Sequence, residues 1–191
     1  MLVTIDLGEN MGWTVGPISA DAPTSDVRCG TFKLRATTRL GLFLRSAEEP
    51  FRELFSTPGI VGVGVEKPDT MGNSYFGIRK NMALLGQMYV WLEHHGLSQD
   101  IVQEISVTSG KLRLSGSGRA KKPEMMAAAT AKGYAIETEH EADACGIREV
   151  YIYGKAETKA QREKREAAER RAARKAEKAA EIARTKGDTL L

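Results

Sequence analysis

The chain has 191 residues, 41% hydrophobic and 28% charged, enough for one domain with its own core plus an appendage but not comfortably two domains. No stretch reaches the roughly 18 apolar residues of a membrane span. The start MLVTIDLG lacks the pattern of a secretory signal, and the isolated Cys29 and Cys145 read as buried reduced thiols, so the expected compartment is the cytoplasm.

The net charge of +3 is unevenly spread. From Lys155 onward 12 Lys/Arg stand against 7 Asp/Glu, a net of +5, leaving 16 of the 28 basic and 18 of the 25 acidic residues before it, a net of −2. A slightly acidic body carries a basic tail, a pattern that suggests contact with a polyanion and also suits a solvated helix.

Residues 2–7 (LVTIDL) form an apolar run ending at a carboxylate and read as a central strand. Residues 12–16 and 27–34 read as two further strands around a turn-rich loop, giving an antiparallel meander. Over 38–55 the apolar spacing becomes helical, with Pro50 expected to kink or interrupt the segment. The run 60–65 (IVGVGV) is a buried strand ending at Glu66. Helical periodicity returns over 74–95 and stops at Gly96.

Residues 101–107 are a fifth strand, and 108–122, rich in Gly, Ser, Lys and Arg, read as a basic loop around a short helical turn. Pro123 suits the first turn of a helix through MMAAATAK, and 139–152 read as the last core helix. The tail, about 155–186, is almost only Ala, Glu, Lys and Arg, with Ile182 as its one large apolar residue; it predicts a solvated or partner-bound helix rather than part of the core. The expected architecture is α/β, a mixed five-stranded sheet flanked by helices (1–154) with a charged C-terminal helical extension (155–191).

Acidic residues stand out by position. Asp6 ends the first strand, Glu66 ends the fourth, and His140, Glu141 and Asp143 lie near the start of the last helix, where residues three apart share a face. Strand ends and helix starts converge on one crevice in such sheets, and a pair of divalent ions needs carboxylates from separate segments. Taken singly, Asp6 reads as a cap or loop carboxylate, Glu66 as a salt-bridge or turn residue, His140 equally as a capping or surface histidine, and Glu141 as a neutraliser of the helix dipole. Lys111, Arg113, Arg119, Lys121 and Lys122 form a basic run among serines and glycines, suited to phosphate contact or to a solvated loop.

Together these elements resemble the RuvC Holliday-junction resolvases: Ile5-Asp6-Leu7-Gly8 followed by Gly12-Trp13, then Val65-Glu66, then Ala83-Leu84-Leu85-Gly86-Gln87 in the long helix, then Ser109-Gly110-Lys111 with Gly116-Ser117-Gly118-Arg119-Ala120-Lys121-Lys122, and finally His140-Glu141-Ala142-Asp143-Ala144. The resemblance spans about residues 1–150. It implies an RNase H-like fold, a homodimer, and paired nicking of branched DNA at four-way junctions. It further implies two Mg²⁺ or Mn²⁺ ions held by Asp6, Glu66, His140 and Asp143, with Lys111 near the scissile phosphate. The long helix over 74–95 reads as a dimer contact or as ordinary core packing, each on its own face. The family places an aromatic just after the second acidic residue; here Lys67-Pro68-Asp69 stands there, and the nearest aromatics are Tyr75 and Phe76. The compact body with an unusual extension resembles phage-encoded resolvases.

Other readings fit parts of this pattern. A broader structure-selective nuclease for branched DNA or RNA would use the same ligands. A non-catalytic module would bind nucleic acid through the basic segments and leave the acidic cluster structural. An actin-like ATP-binding protein also opens with Asp-x-Gly, but it needs two such folds, for which 191 residues leave no room.

Overall fold

The structure, a computed structural model, describes residues 1–68 and 74–188, with side chains through Arg174 except that of Lys159. The chain divides into two compact units, Met1–Ala156 and Glu157–Leu191. No helix of the described residues is long and apolar enough to cross a membrane.

The first unit is a five-stranded mixed sheet. Strands β1 (Leu2–Asp6), β2 (Asn10–Gly16) and β3 (Arg28–Lys33) form the expected antiparallel meander. Strands β4 (Gly62–Glu66) and β5 (Val102–Ile105) add in parallel beyond β1, so the spatial order is β3-β2-β1-β4-β5. Parallel neighbours need crossovers, which here carry the helices over 40–55, before β4, and over 75–94, between β4 and β5; the remaining helices follow β5.

Period-two alternation divides the sheet's side chains between two faces. Val3, Ile5, Met11, Val63 and Val65 face one core, built with Phe43 of α1 (Leu40–Arg45), Phe51, Leu54 and Phe55 of α2 (Glu48–Phe55), and Leu84, Leu85, Met88 and Leu92 of α3 (Tyr75–His94). Thr4, Asp6, Gly64 and Glu66 alternate with these residues. Their face meets α6 (Glu139–Tyr153), which lies against the sheet, flanked by α4 (Val107–Ser115) and α5 (Lys122–Ala131).

Two local expectations are corrected. Residues 38–55 are interrupted, as two helices, but the break falls at Ser46–Ala47 and not at Pro50. Pro50 then sits in the first turn of α2, where its missing N–H has no intrahelical acceptor to lose. Residues 108–122 are mainly helix rather than loop. Ser106 caps α4 by accepting the Ser109 N–H at 3.3 Å, Gly116 ends it in the left-handed region at φ 81°, and Leu114 is buried. Glycine and serine here serve as the caps and tight face of a short helix, a use that composition alone does not separate from loop.

The second unit is α7 (Lys159–Asp188). A reciprocal cap opens it: the Thr158 N–H donates to Gln161 Oε1 at 2.9 Å and the Gln161 N–H to Thr158 Oγ1 at 3.2 Å. Arg162–Glu166 (2.9 Å) and Arg165–Glu169 (2.8 Å) pair one turn apart.

Candidate active site

The α6 side of the sheet is made of small and hydroxylated residues. A methyl group on Gly12 would come within 2.0 Å of the His140 carbonyl oxygen, and one on Gly64 would meet Ile147 and Thr4 at 3.0–3.1 Å. Bare backbone at these positions lets the first turns of α6 settle directly on β1, β2 and β4. Thr14 Oγ1 lies 2.6 Å from Thr4 Oγ1, which donates to the Ala144 carbonyl at 2.9 Å. This buried chain fixes the helix height within one residue of Asp143.

Asp6 pairs across the ladder with Gly12. The tight contact at Gly12 therefore brings His140 over Asp6, and His140 Nδ1 lies 3.2 Å from Asp6 Oδ2. Glu66 is one position beyond the β1–β4 pairing of Ile5 with Val65 and shares a side-chain hydrogen bond with Asp6. Asp143, one turn along α6 from His140, lies in the field of Glu66 and of Asp6. The structure thus brings all four side chains to one end of one sheet face.

Their electrostatics reflect the crowding. Asp6 is 7% exposed, and burial pushes its carboxyl up to about 7; the hydrogen bond with Glu66 opposes the rise, and the charges of Asp143 and Glu139 add to it. Asp143 is also raised, mainly by burial, with Lys111 acting against the rise and Glu66 reinforcing it. Among the described residues no group of three or more His, Cys, Asp or Glu has closed to metal-holding spacing; Asp6 instead bonds to Glu66 and His140. Three carboxylates and an imidazole are donors of the kind that could hold a hard divalent cation.

Lys111 reaches this cluster through a close helix crossing. A methyl on Gly110 would lie 3.3 Å from the Gly146 carbonyl carbon, and one on Gly146 would lie 3.1 Å from Gly110. Two glycines in contact bring α4 and α6 together, so Lys111, next in sequence, faces Asp143, one turn back from Gly146.

The other basic residues do not form a single loop. Arg113 is on α4 with its guanidinium 5.1 Å from the Tyr153 ring centroid. Arg119 is in the exposed turn before α5, Lys121 is the residue before that helix, and Lys122 opens it. Lys122 pairs with Glu139 and lies in the field of Asp143 and Asp6, which makes it a neighbour of the acidic cluster.

Glu141 faces away from the cluster. It accepts the Glu137 N–H at 2.7 Å and the Thr31 hydroxyl at 3.0 Å, while its own N–H donates to Thr138 Oγ1, the helix cap, at 3.2 Å. It completes the start of α6. Cys29 and Cys145 are free thiols with sulfurs 3.9 Å apart.

Sequence reasoning missed two residues. Glu139 bridges Lys122 and the far side of His140, with Oε1 3.6 Å from Nε2. Lys80 is 6% exposed; it pairs with Glu9, three residues after Asp6, and lies 4.6 Å from the Phe43 ring centroid and 4.8 Å from that of Phe76. A signal for Lys80 was present, since it precedes Leu84, Met88 and Leu92 at four-residue steps along the buried stripe of α3. Of the segment after Glu66, Asp69 lies outside the described residues.

No protein-family model matches the chain, and no curated protein sequence matches it. Solved structures do. Thermus thermophilus RuvC in complex with a Holliday junction substrate superposes with a TM-score of 0.63 at 19% identity, over 80% of this chain and 93% of that one. The fold is that of the RuvC resolvases. A second Thermus thermophilus RuvC structure gives 0.57 at 18% identity, over 78% of this chain and 90% of that one. The yeast mitochondrial Holliday junction resolvase gives 0.54 at 10% identity, over 79% and 78%. The RuvC-like fold has the mixed sheet expected from the strand order, with a flanking helix that brings His140 and Asp143 to Asp6.

Proposed function

We propose that this chain is a metal-dependent endonuclease that resolves four-way DNA junctions by paired nicks, working as a homodimer. The observation that carries this reading is the gathering of Asp6, Glu66, His140 and Asp143 at one end of one sheet face, with Lys111 beside Asp143. The likeness to a RuvC bound to a Holliday junction substrate supports the choice of branched DNA.

In this reading Asp6, Glu66, Asp143 and His140 would hold two Mg²⁺ or Mn²⁺ ions, whose chemistry when bound would be to lower the pKa of a water and to offset charge on the leaving 3′ oxygen. Asp6 would stand at the centre of this set, because it lies against both Glu66 and His140. Glu66 and Asp143 face it from the neighbouring strand and from α6. Lys111 offsets negative charge on the phosphate next to Asp143, and Lys122, Arg119 and Lys121 guide the strand toward it. Arg113 contacts DNA only if it leaves the Tyr153 ring. The Thr4–Ala144 bond and the Gly12 contact keep these groups at fixed separation, a requirement for in-line displacement.

The dimer reading is supported by α3, whose Met82 is 52% and Val90 64% exposed; Val90 lines a mostly apolar groove with Leu44, Ala83 and Trp91, edged by Glu48, Gln87 and His94. A phage-type enzyme acting in the cytoplasm of a bacterial or phage-infected cell fits the compact body and the added tail.

A broader structure-selective nuclease is the second reading. It is favoured by Lys67-Pro68 after Glu66, where the family's aromatic is lacking, although Tyr75, 80% exposed, is available to stack on an unpaired base. Cleavage of four-way, flap and linear DNA and of branched RNA in Mg²⁺, by wild type and by Asp6→Asn, tests both. Preference for the four-way junction, lost in the variant, is expected. Equal rates on all substrates would leave only the second reading, and unchanged cutting by Asp6→Asn would remove both.

A further inference from the structure

The charges of α7 are segregated along its length. Over 157–169 four cations (Lys159, Arg162, Lys164, Arg165) balance four glutamates (Glu157, Glu163, Glu166, Glu169). Pairs one turn apart consume much of this charge: Arg162 with Glu166, and Arg165 with Glu169 and, at 3.2 Å, with Glu157. Over 170–178 five cations (Arg170, Arg171, Arg174, Lys175, Lys178) stand against Glu177 alone. Arg170, Arg171 and Arg174 are exposed; Arg170 lies in the field of Glu166, and among the described residues none of the three is in a hydrogen-bonded ion pair.

Helical geometry sorts this block by face. At about 100° per residue, positions 170, 171, 174, 175 and 178 fall within an arc of about 140°. Alanines at 172, 173, 176, 179 and 180 occupy the opposite arc. The five cationic positions span about 12 Å of helix axis, one per roughly 2.4 Å, comparable with the phosphate charge density of duplex DNA, one per roughly 1.7 Å. A face of this kind has little to bury, since Ile182 is the one large apolar residue over 155–186. Helices that lie in a membrane surface need larger apolar residues on the opposite side, such as Trp, Phe or Leu.

We infer that residues 170–178 of α7 form a duplex-DNA contact, separate from the acidic cluster, that grips phosphates of a substrate arm without reading sequence. The inference rests on the nuclease reading for its choice of polyanion. In it the segment 157–169, of zero net charge, is a spacer.

The test measures binding of the full chain to a four-way junction and to a linear duplex in EDTA, over a series of salt concentrations. Wild type is compared with a variant carrying Arg170→Gln, Arg171→Gln, Arg174→Gln, Lys175→Gln and Lys178→Gln. A control carries Ala172→Gln, Ala176→Gln and Ala179→Gln, and circular dichroism confirms helix in all three. The expected result is a shallower plot of log affinity against log salt, by up to about 4 in slope, and roughly 10- to 100-fold weaker binding of both DNAs near 0.1 M salt. The control should match wild type.

Unchanged slope and affinity in the five-residue variant would overturn the inference, as would a loss confined to binding of anionic lipid vesicles. Cleavage in Mg²⁺ is scored in parallel. A wild type that cuts while the slopes stay equal sinks the tail contact alone. A wild type that binds with the expected slope difference yet cuts nothing sinks the nuclease reading and leaves the contact standing.

Discussion

Replacing Asp6 with Asn should make the metal-free protein more stable at neutral and alkaline pH while abolishing its chemistry. The folded chain holds the Asp6 proton until about pH 7, whereas the unfolded chain releases it near 3.8. Folding therefore favours the protonated form, and stability is lost as pH rises from about 4 to about 7. The interval between the two values corresponds to roughly 4 kcal/mol. Asp6 is almost fully buried, so solvent screening takes little from this figure, although its coupling to Glu66 makes it an upper bound.

Asn removes the charge but keeps the size. The variant should gain at least about 2 kcal/mol at pH 8, worth several degrees in melting temperature for a domain of this size. Near pH 4 it should gain little. The assay is urea unfolding in EDTA at pH 5 and pH 8. Wild type should lose about 2.5 kcal/mol between the two relative to the variant. Adding Mg²⁺ at pH 8 should stabilise wild type and leave the variant unmoved, because only a site that binds in the folded state shifts the equilibrium. A variant no more stable than wild type at pH 8, with parallel pH curves, would refute the claim that Asp6 is buried among like charges.

Other perturbations separate the scaffold from the chemistry. Gly12→Ala places a methyl 2.0 Å from the His140 carbonyl oxygen; it should cost about 3 kcal/mol in urea unfolding and, by lifting the start of α6, remove cleavage. Lys111→Gln should leave the unfolding midpoint nearly unchanged and junction binding within a few-fold, yet lower kcat by roughly 100-fold, so a pure binding defect would contradict its place beside Asp143. Glu141→Gln should cost about 1–2 kcal/mol through the Glu137 and Thr31 hydrogen bonds and retain most activity; an inactive but stable protein would show that Glu141 serves the chemistry. Val90→Glu should shift a dimer toward monomer in sedimentation if the exposed face of α3 is the contact, and an unshifted dimer would place the interface elsewhere.

Much was legible in the amino-acid order because it depends on local physics. Alternation and apolar runs marked all five strands, helical spacing marked α3 and α6, and the strand-end positions of Asp6 and Glu66 followed from where those runs stop. The charged extension was legible too, since almost no residue in it has apolar area to bury.

Local physics also set the limits of that reading. Alternation gives Asp6 and Glu66 the same face only once β1 and β4 are known to be parallel neighbours in register, and that pairing joins segments about sixty residues apart. Whether Lys111 belongs to a loop or to the site depended on Gly110 meeting Gly146, a contact no residue-by-residue propensity encodes. Glu141 and His140 are adjacent on one helix, yet one caps the chain and the other faces Asp6, because rotation about the helix axis is fixed by Gly12 and Thr4 on the sheet beneath. The sequence by itself determined the five strands, the long helices and most of the residues able to do chemistry; the tertiary structure alone decided which of them meet, because side-chain direction and helix height are set by packing between segments far apart in the chain.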